Sequence, residues 1–131
     1  MEYVLISSLQ LKLEQNLSYN KAVPFKFSEI TPFPFSVTPK IAAAMLERSE
    51  ELMQLQHNTA KCVRAFGISL ERRRFTPHVT LGRLKSSSRN SLAFQPHQIY
   101  LDGVSEKVVI FQSELTPKGA IYISLGEISL M

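Results

Sequence analysis

The stretch from Ser49 to Gly67 constrains the fold more than any other part of the sequence, because it predicts one complete helix with a marked start and a marked end. Ser49 offers a capping oxygen, and Glu50 and Glu51 place acidic side chains near the positive end of the helix dipole. Gly67 supplies the left-handed stop. The side chains that keep helical spacing between these ends are Leu52, Leu55, Thr59, Cys62, Val63 and Phe66.

The N-terminal part of the chain predicts a second helix followed by extended structure. From about Glu2 to Leu17, leucines recur every four residues, which is the stripe of an amphipathic helix. Phe25 and Phe27 alternate with polar residues and predict a half-buried strand. The prolines that then predict an extended, irregular loop before Lys40 are Pro32, Pro34 and Pro39.

The segment from Ile41 to Leu46 is ambiguous, whereas most of the remaining chain predicts strands. Its three alanines favour a helix, but a short apolar run bounded by polar residues also permits a buried strand. Lys107 to Leu115 contains an apolar run suited to a central strand, and a turn at 116–119 leads into the alternating residues 120–125 of a hairpin. Residues 86–90 predict a mobile polar loop. Together with the two helices, these strands predict an α+β fold of antiparallel sheets.

Composition limits the class of protein. A chain of 131 residues, 44% of them hydrophobic, suits one compact domain spanning residues 1–131. No apolar run approaches the roughly 18 to 20 residues that a membrane span needs, and the apolar N-terminus lacks the basic lead-in of a signal peptide. Cys62 is the only cysteine, which excludes an internal disulfide. A cytoplasmic location without membrane association is therefore expected.

Charge favours a polyanionic partner. The formal net charge is +4, and neutralised phosphates release condensed counterions when a basic protein binds a polyanion. The alternative is a soluble protein that happens to be basic. The basic residues are concentrated between Arg72 and Arg89, a stretch that contains no acidic residue. They are Arg72, Arg73, Arg74, Arg83, Lys85 and Arg89.

His78 and Thr80 are the residues best suited to chemistry. Two residues apart in a strand, they project from one face with a separation of about 6.5 Å, while Val79 and Leu81 are expected to face the core. The imidazole exchanges a proton near neutral pH, and the threonine hydroxyl can donate a hydrogen bond to a phosphoryl oxygen. The alternative is an ordinary histidine on a sheet with its hydrogen bonds satisfied.

The other candidate groups carry less weight. Arg83 adds a charged donor suited to phosphate, but strand alternation turns it to the opposite face unless Gly82 allows a bulge. His57, on the polar face of the predicted helix, and His97 both have the pattern of solvated surface histidines. The sequence offers no second ligand at metal spacing from His78 and no serine or cysteine in the setting of a nucleophile.

The run Phe75-Thr-Pro-His-Val-Thr-Leu-Gly-Arg83 resembles the second H-x-T-x motif of the two-histidine (2H) phosphoesterases. Within that superfamily it is most similar to the RNA 2',3'-cyclic phosphodiesterases, also called 2'-5' RNA ligases. The resemblance runs from about Phe25 to the end of the chain, and it implies that residues 40–45 form a strand. The flanking segments that share it are Ser49 to Ile68, Arg73 to Phe75, Val108 to Leu115 and Gly119 to Leu125.

The resemblance implies a fold of two pseudo-symmetric lobes, each supplying one H-x-T-x motif to a cleft. Among its predicted strands this sequence contains a single H-x-T-x, at His78, since His57-Asn-Thr-Ala60 has the same spacing but lies in the predicted helix. Residues 1–17 resemble the helix that follows the first motif. We therefore expect one 2H phosphoesterase-like domain over residues 1–131, N-terminally incomplete, with the second lobe intact and the first lobe partial.

The resemblance also implies a chemistry that needs no metal or other cofactor. One histidine takes a proton from the attacking water while the other gives one to the leaving ribose oxygen, so that a 2',3'-cyclic phosphate opens to the 2'-phosphomonoester. By its motif position His78 would be the general base, and Thr80 would hold a non-bridging phosphoryl oxygen. Arg83 and Arg74 would receive RNA phosphates. Phe75 would stack a base, unless it belongs to the core.

Lacking a second H-x-T-x motif on a strand, the chain is expected to be a poor or inactive enzyme alone. The expected partners are RNA ends or cyclic nucleotides. One alternative is a non-catalytic RNA-binding or nucleotide-binding remnant of the same fold. A further expectation is a homodimer, because a sheet that lacks its first strands exposes unpaired edges.

Overall fold

The computed structural model describes residues 2–34, 39–71, 74–84 and 95–131, with side chains described from residue 5 onward. Within these ranges the chain forms two helices and seven strands. In chain order they are α1 (Glu2–Leu17), β1 (Val23–Phe33), β2 (Ile41–Leu46), α2 (Glu50–Ala65), β3 (His78–Arg83), β4 (His97–Gln98), β5 (Asp102–Ser105), β6 (Lys107–Thr116) and β7 (Gly119–Ser129).

The strands form two sheets. The larger sheet has the order β3-β2-β1-β4, and β5 also pairs with β1. The smaller sheet is the hairpin of β6 and β7. The registered pairs are antiparallel, so the predicted α+β fold of antiparallel sheets is confirmed. None of the helices in the described ranges is long and apolar enough to cross a bilayer.

The chain divides into two compact units. The first comprises residues 1–23, 51–73 and 104–131, and so contains α1, almost all of α2 and the β6–β7 hairpin. The second comprises residues 24–50 and 74–103, which hold most of the larger sheet. The single-domain organisation over residues 1–131 stays a prediction.

The first unit has its core where the two helices meet the hairpin. The α1 leucine stripe buries Leu9, Leu13 and Leu17, as the four-residue spacing predicts, but Leu5 at the start of the stripe is 51% exposed. Gly67 follows the end of α2 and has a φ of 95°, in the left-handed region, as predicted for the residue that stops this helix. The other buried members of this core are Val23, Leu55, Cys62 and Ile128.

In the second unit, Ile41 to Leu46 is a strand, which resolves the ambiguity of its sequence. Ala43 and Ala44 point to opposite faces and are 0% and 5% exposed, because β2 lies between β1 and β3. Strand β1 continues through Pro32 to Phe33, so the predicted irregular loop is shorter than expected. Pro32 is tolerated because β4 pairs with β1 only near Ile30, which leaves that edge of β1 unpaired at Pro32 among the described residues.

Two expectations about buried faces are wrong. Val79 and Leu81 are 44% and 54% exposed rather than in the core, because β3 is the last strand of its sheet in the described part of the chain. Strand β6 is not central, since its pairing within the described ranges is with β7 alone. Phe111 and Leu115 are consequently 55% and 75% exposed. The polar loop expected at residues 86–90 lies outside the described residues.

Candidate functional site

His78 and Thr80 lie at the start of β3, which is the edge strand of the larger sheet as far as the described residues show. His78 is paired with Met45 and Thr80 with Ala43, both on β2. Paired residues of antiparallel strands project to the same side, and residues two apart on one strand do so as well. The two side chains therefore share one face of the sheet, as the His-x-Thr spacing predicts.

A bulge after Thr80 returns Arg83 to this face. The register passes from Thr80 opposite Ala43 to Gly82 opposite Ala42, so Leu81 is an extra residue without a partner. Arg83 is then paired with Ile41, two residues from Ala43 on β2. Strict alternation would have turned Arg83 away, but the extra residue restores its side chain to the side of His78. Arg83 and Thr80 are both exposed.

The imidazole of His78 is half-buried and oriented by a backbone carbonyl. Its Nδ1 lies 2.7 Å from the carbonyl oxygen of Thr76, a distance at which Nδ1–H donates to that oxygen. In the neutral imidazole this bond leaves Nε2 without a proton. Pro77, which is buried, connects the two residues and fixes the backbone before the strand. The arrangement presents Nε2 as a proton acceptor.

An aromatic ring packs against this imidazole. The centroids of the Phe33 and His78 rings are 4.6 Å apart, with 33° between the ring planes. Phe33 is paired with Ile41, so it projects from the same face of the sheet as His78. Sequence reasoning did not identify this contact, because Phe33 lies in a proline-rich segment that predicts an irregular loop.

Arg74 and Phe75 lie on the approach to β3. Arg74 is exposed and Phe75 is half-buried. The guanidinium of Arg48 donates a hydrogen bond to the backbone carbonyl of Phe75, which anchors this approach. Among the described residues, no hydrogen bond, ion pair or ring contact joins either side chain to His78. In the described part of the chain, His78 thus contacts Thr76 through a hydrogen bond and Phe33 through its ring, and no such contact links it to Arg74 or Phe75.

Strands β1 and β4 add polar groups to this face that the sequence did not reveal. Glu29 is paired with both Met45 and Gln98, and Thr31 is paired with Ala43, so all three polar side chains project to the face of His78. Phe25 and Phe27 predict which residues of β1 share a face, but a bulge at Ser28 shifts the alternation by one residue. Beyond Ser28, the side chains therefore point to the face opposite to the one predicted. A bulge leaves no fixed signal in a single sequence.

The remaining candidates lie elsewhere. His57 is exposed on α2, and His97 is exposed on β4, as predicted. Cys62 is buried in the core of the first unit, where its sulfur accepts a weak hydrogen bond from the amide of Asn16 at 3.9 Å. The described residues contain no cluster of three or more His, Cys, Asp or Glu side chains that could hold a metal ion.

Comparison with known proteins gives the family. The sequence model of the family described as LigT-like phosphoesterase matches residues 44–122, more than half of the chain and including all of β3. The fold is similar to the crystal structure of TT0787 of Thermus thermophilus, with a TM-score of 0.72 and 24% sequence identity. That alignment covers 96% of this chain and 68% of the other, and at this identity it establishes the fold. The search of curated proteins returned no significant match.

Proposed function

Because the chain belongs to the LigT-like phosphoesterase family, we propose that it hydrolyses RNA 2',3'-cyclic phosphate ends to 2'-phosphomonoesters without a metal ion. One observation carries the proposal: the register of β2 and β3 puts His78, Thr80 and Arg83 on one face of the sheet. An imidazole, a hydroxyl and a guanidinium on one surface can serve a phosphodiester as a base, a neutral donor and a charged donor.

His78 is the general base of the proposed reaction. The bond from its Nδ1 to the Thr76 carbonyl supports this role, because it leaves Nε2 to accept the proton of an attacking water. As that proton moves to Nε2, the water oxygen forms a bond to phosphorus and the bond from phosphorus to the ribose O3' breaks. The products are a 2'-phosphomonoester and a free 3'-hydroxyl, whose oxygen must gain one proton.

Thr80 and Arg83 stabilise the charge that builds on the non-bridging oxygens. The exposed Thr80 hydroxyl donates to one of these oxygens, and the Arg83 guanidinium contributes positive charge and further donors. Arg74, which is exposed before β3, receives a phosphate of the adjoining RNA backbone. Phe75 contributes a face on which a base stacks.

Protonation of the leaving O3' limits the rate of this chain. The two-histidine scheme uses a second histidine for that step, and the described strands hold one H-x-T-x motif, at His78, because the other match to the pattern, His57 to Ala60, lies on helix α2. General acid catalysis contributes roughly 10² to 10⁴ to the rate of such reactions, so we expect turnover that is slower by about that factor. In this chain, solvent supplies the proton to O3' in place of a second histidine.

Hydrolysis of a 2',3'-cyclic nucleotide in EDTA tests the proposal. We expect slow hydrolysis that persists with the chelator and falls to the background rate in His78→Ala. His97→Ala is the matched control, because His97 is an exposed histidine of the same sheet that pairs with Ile30 on its other face. Hydrolysis that required a divalent metal, or that survived His78→Ala, would refute the assignment.

A binding function without catalysis is the second candidate. The presence of only one H-x-T-x motif on the described strands, at His78, and the net charge of +4 favour it. It predicts binding of RNA with a 2',3'-cyclic end that weakens steeply with salt, and no product after long incubation. A time course of product formation at saturating protein distinguishes the two candidates, because only the enzyme accumulates the 2'-phosphate.

A further inference from the structure

We propose that Phe33 is a positioning residue, whose ring holds the His78 imidazole in the plane and tautomer that leave Nε2 free. This inference rests on the proposed function for its kinetic consequence. Its structural content is independent of any substrate, since the contact between the two rings, 4.6 Å between centroids, is part of the fold itself.

The contact crosses the whole width of β2. Phe33 is on β1 opposite Ile41, His78 is on β3 opposite Met45, and Ala43 lies between those two positions on β2. A residue with only a methyl side chain at position 43 leaves room for two rings to meet above it. Ala43 is 0% exposed, which agrees with a cover of this kind. A larger side chain there would separate the rings.

Two restraints together define the imidazole. A histidine side chain has two torsion angles, so one hydrogen bond at Nδ1 still allows the ring to rock about that bond. The Phe33 ring, inclined at 33° to the imidazole, blocks this motion from one side. With both restraints in place, Nε2 points in a single direction away from the Thr76 carbonyl.

Loss of the ring contact would release the wrong tautomer. An unrestrained neutral imidazole in water favours the proton on Nε2, and in that form Nε2 cannot accept a proton from water. The bond from Nδ1 to Thr76 selects the opposite tautomer, and the stacked ring protects this bond by keeping its geometry. A displacement of about 1 Å is enough to lower a catalytic rate on the order of 10²-fold.

The test compares Phe33→Leu, Phe33→Tyr and the control Phe27→Leu. Phe27 is a half-buried phenylalanine of the same strand, but it is paired with Leu46 and projects from the opposite face. In Phe33→Leu we expect kcat on a 2',3'-cyclic nucleotide to fall about tenfold with KM within twofold. Phe33→Tyr keeps an aromatic face and retains kcat, and Phe27→Leu leaves it unchanged.

Nitrogen NMR of the His78 ring supplies a readout that simple packing would not move. We expect the unsubstituted chain to show the proton on Nδ1, and Phe33→Leu to shift the population toward Nε2 while Phe27→Leu does not. An unchanged tautomer in folded Phe33→Leu would overturn the inference, as would a rise in KM at constant kcat. If the unsubstituted chain shows no hydrolysis that depends on His78, the proposed function fails, and the NMR comparison still decides the role of Phe33.

Discussion

At the scale of single residues, two groups of the candidate site, Thr80 and Arg83, have exposed side chains, so effects on chemistry can be separated from effects on stability at these positions. Thr80 is exposed on β3, and its paired neighbour on β2 is Ala43, which has an apolar side chain. Substitution of an exposed side chain usually changes the free energy of unfolding by no more than about 0.5 kcal/mol. Any large effect of changing Thr80 would therefore report on the reaction.

We predict that Thr80→Val lowers kcat for a 2',3'-cyclic nucleotide on the order of 10²-fold, with the unfolding temperature almost unchanged. Valine keeps the shape of the side chain but removes the hydroxyl that donates to the phosphoryl oxygen. Thr80→Ser, which keeps the hydroxyl, is expected to restore most of the rate. A Thr80→Val protein as active as the unsubstituted chain would remove Thr80 from the proposed mechanism.

At the scale of elements, the helices were predictable because a single period of hydrophobicity specifies both the element and its buried side. The α1 stripe at Leu9, Leu13 and Leu17 is an example. The strands were less predictable, since the bulges at Ser28 and Leu81 each change the phase of alternation by one residue. His78 and Thr80 precede the bulge of their strand, so their shared face followed from the sequence. The position of Glu29 and Thr31 on the same face could not be predicted, because these residues of β1 follow the bulge at Ser28.

The α1 stripe gives a prediction of stability with a control on the same helix. Leu13 is 2% exposed in the core of the first unit, whereas Leu11 is 56% exposed. We expect Leu13→Ala to lower the free energy of unfolding by roughly 2 to 5 kcal/mol, through lost burial and a cavity. Leu11→Ala is expected to change it by about 0.5 kcal/mol or less. Denaturant titration of both variants measures the difference, and equal effects would contradict the packing of α1.

At the scale of the whole molecule, the β6–β7 hairpin is the feature that one copy of the chain leaves incomplete. In the described part of the chain neither strand pairs with a third strand. The end of the hairpin near its turn carries large apolar side chains on both faces. A two-stranded ribbon that extends beyond the elements it packs against is only marginally stable in water. The most exposed of these side chains are Phe111, Leu115, Ile121, Tyr122 and Ile123.

We propose that a second copy of the chain covers this hairpin by pairing β7 with β7. Residues 119–126 contain no charged side chain, so two copies of this edge can pair antiparallel without opposing like charges. The residues of β6 are less suited to self-pairing, because Lys107 and Glu114 interrupt that edge. A β7–β7 contact would produce one four-stranded sheet and shield Ile121 and Tyr122 from water.

Measurement of mass in solution over a range of concentrations tests this pairing. We expect a dimer that Ile121→Lys converts to monomer, because the two lysines of a paired edge would repel each other in a partly buried position. Leu5→Lys adds the same charge at an apolar side chain of α1 that is 51% exposed, and it should leave the dimer intact. A chain that stays monomeric at every concentration, or a dimer that both lysines disrupt equally, would rule out β7 as the contact. A dimer insensitive to Ile121→Lys would mean that another surface joins the two copies.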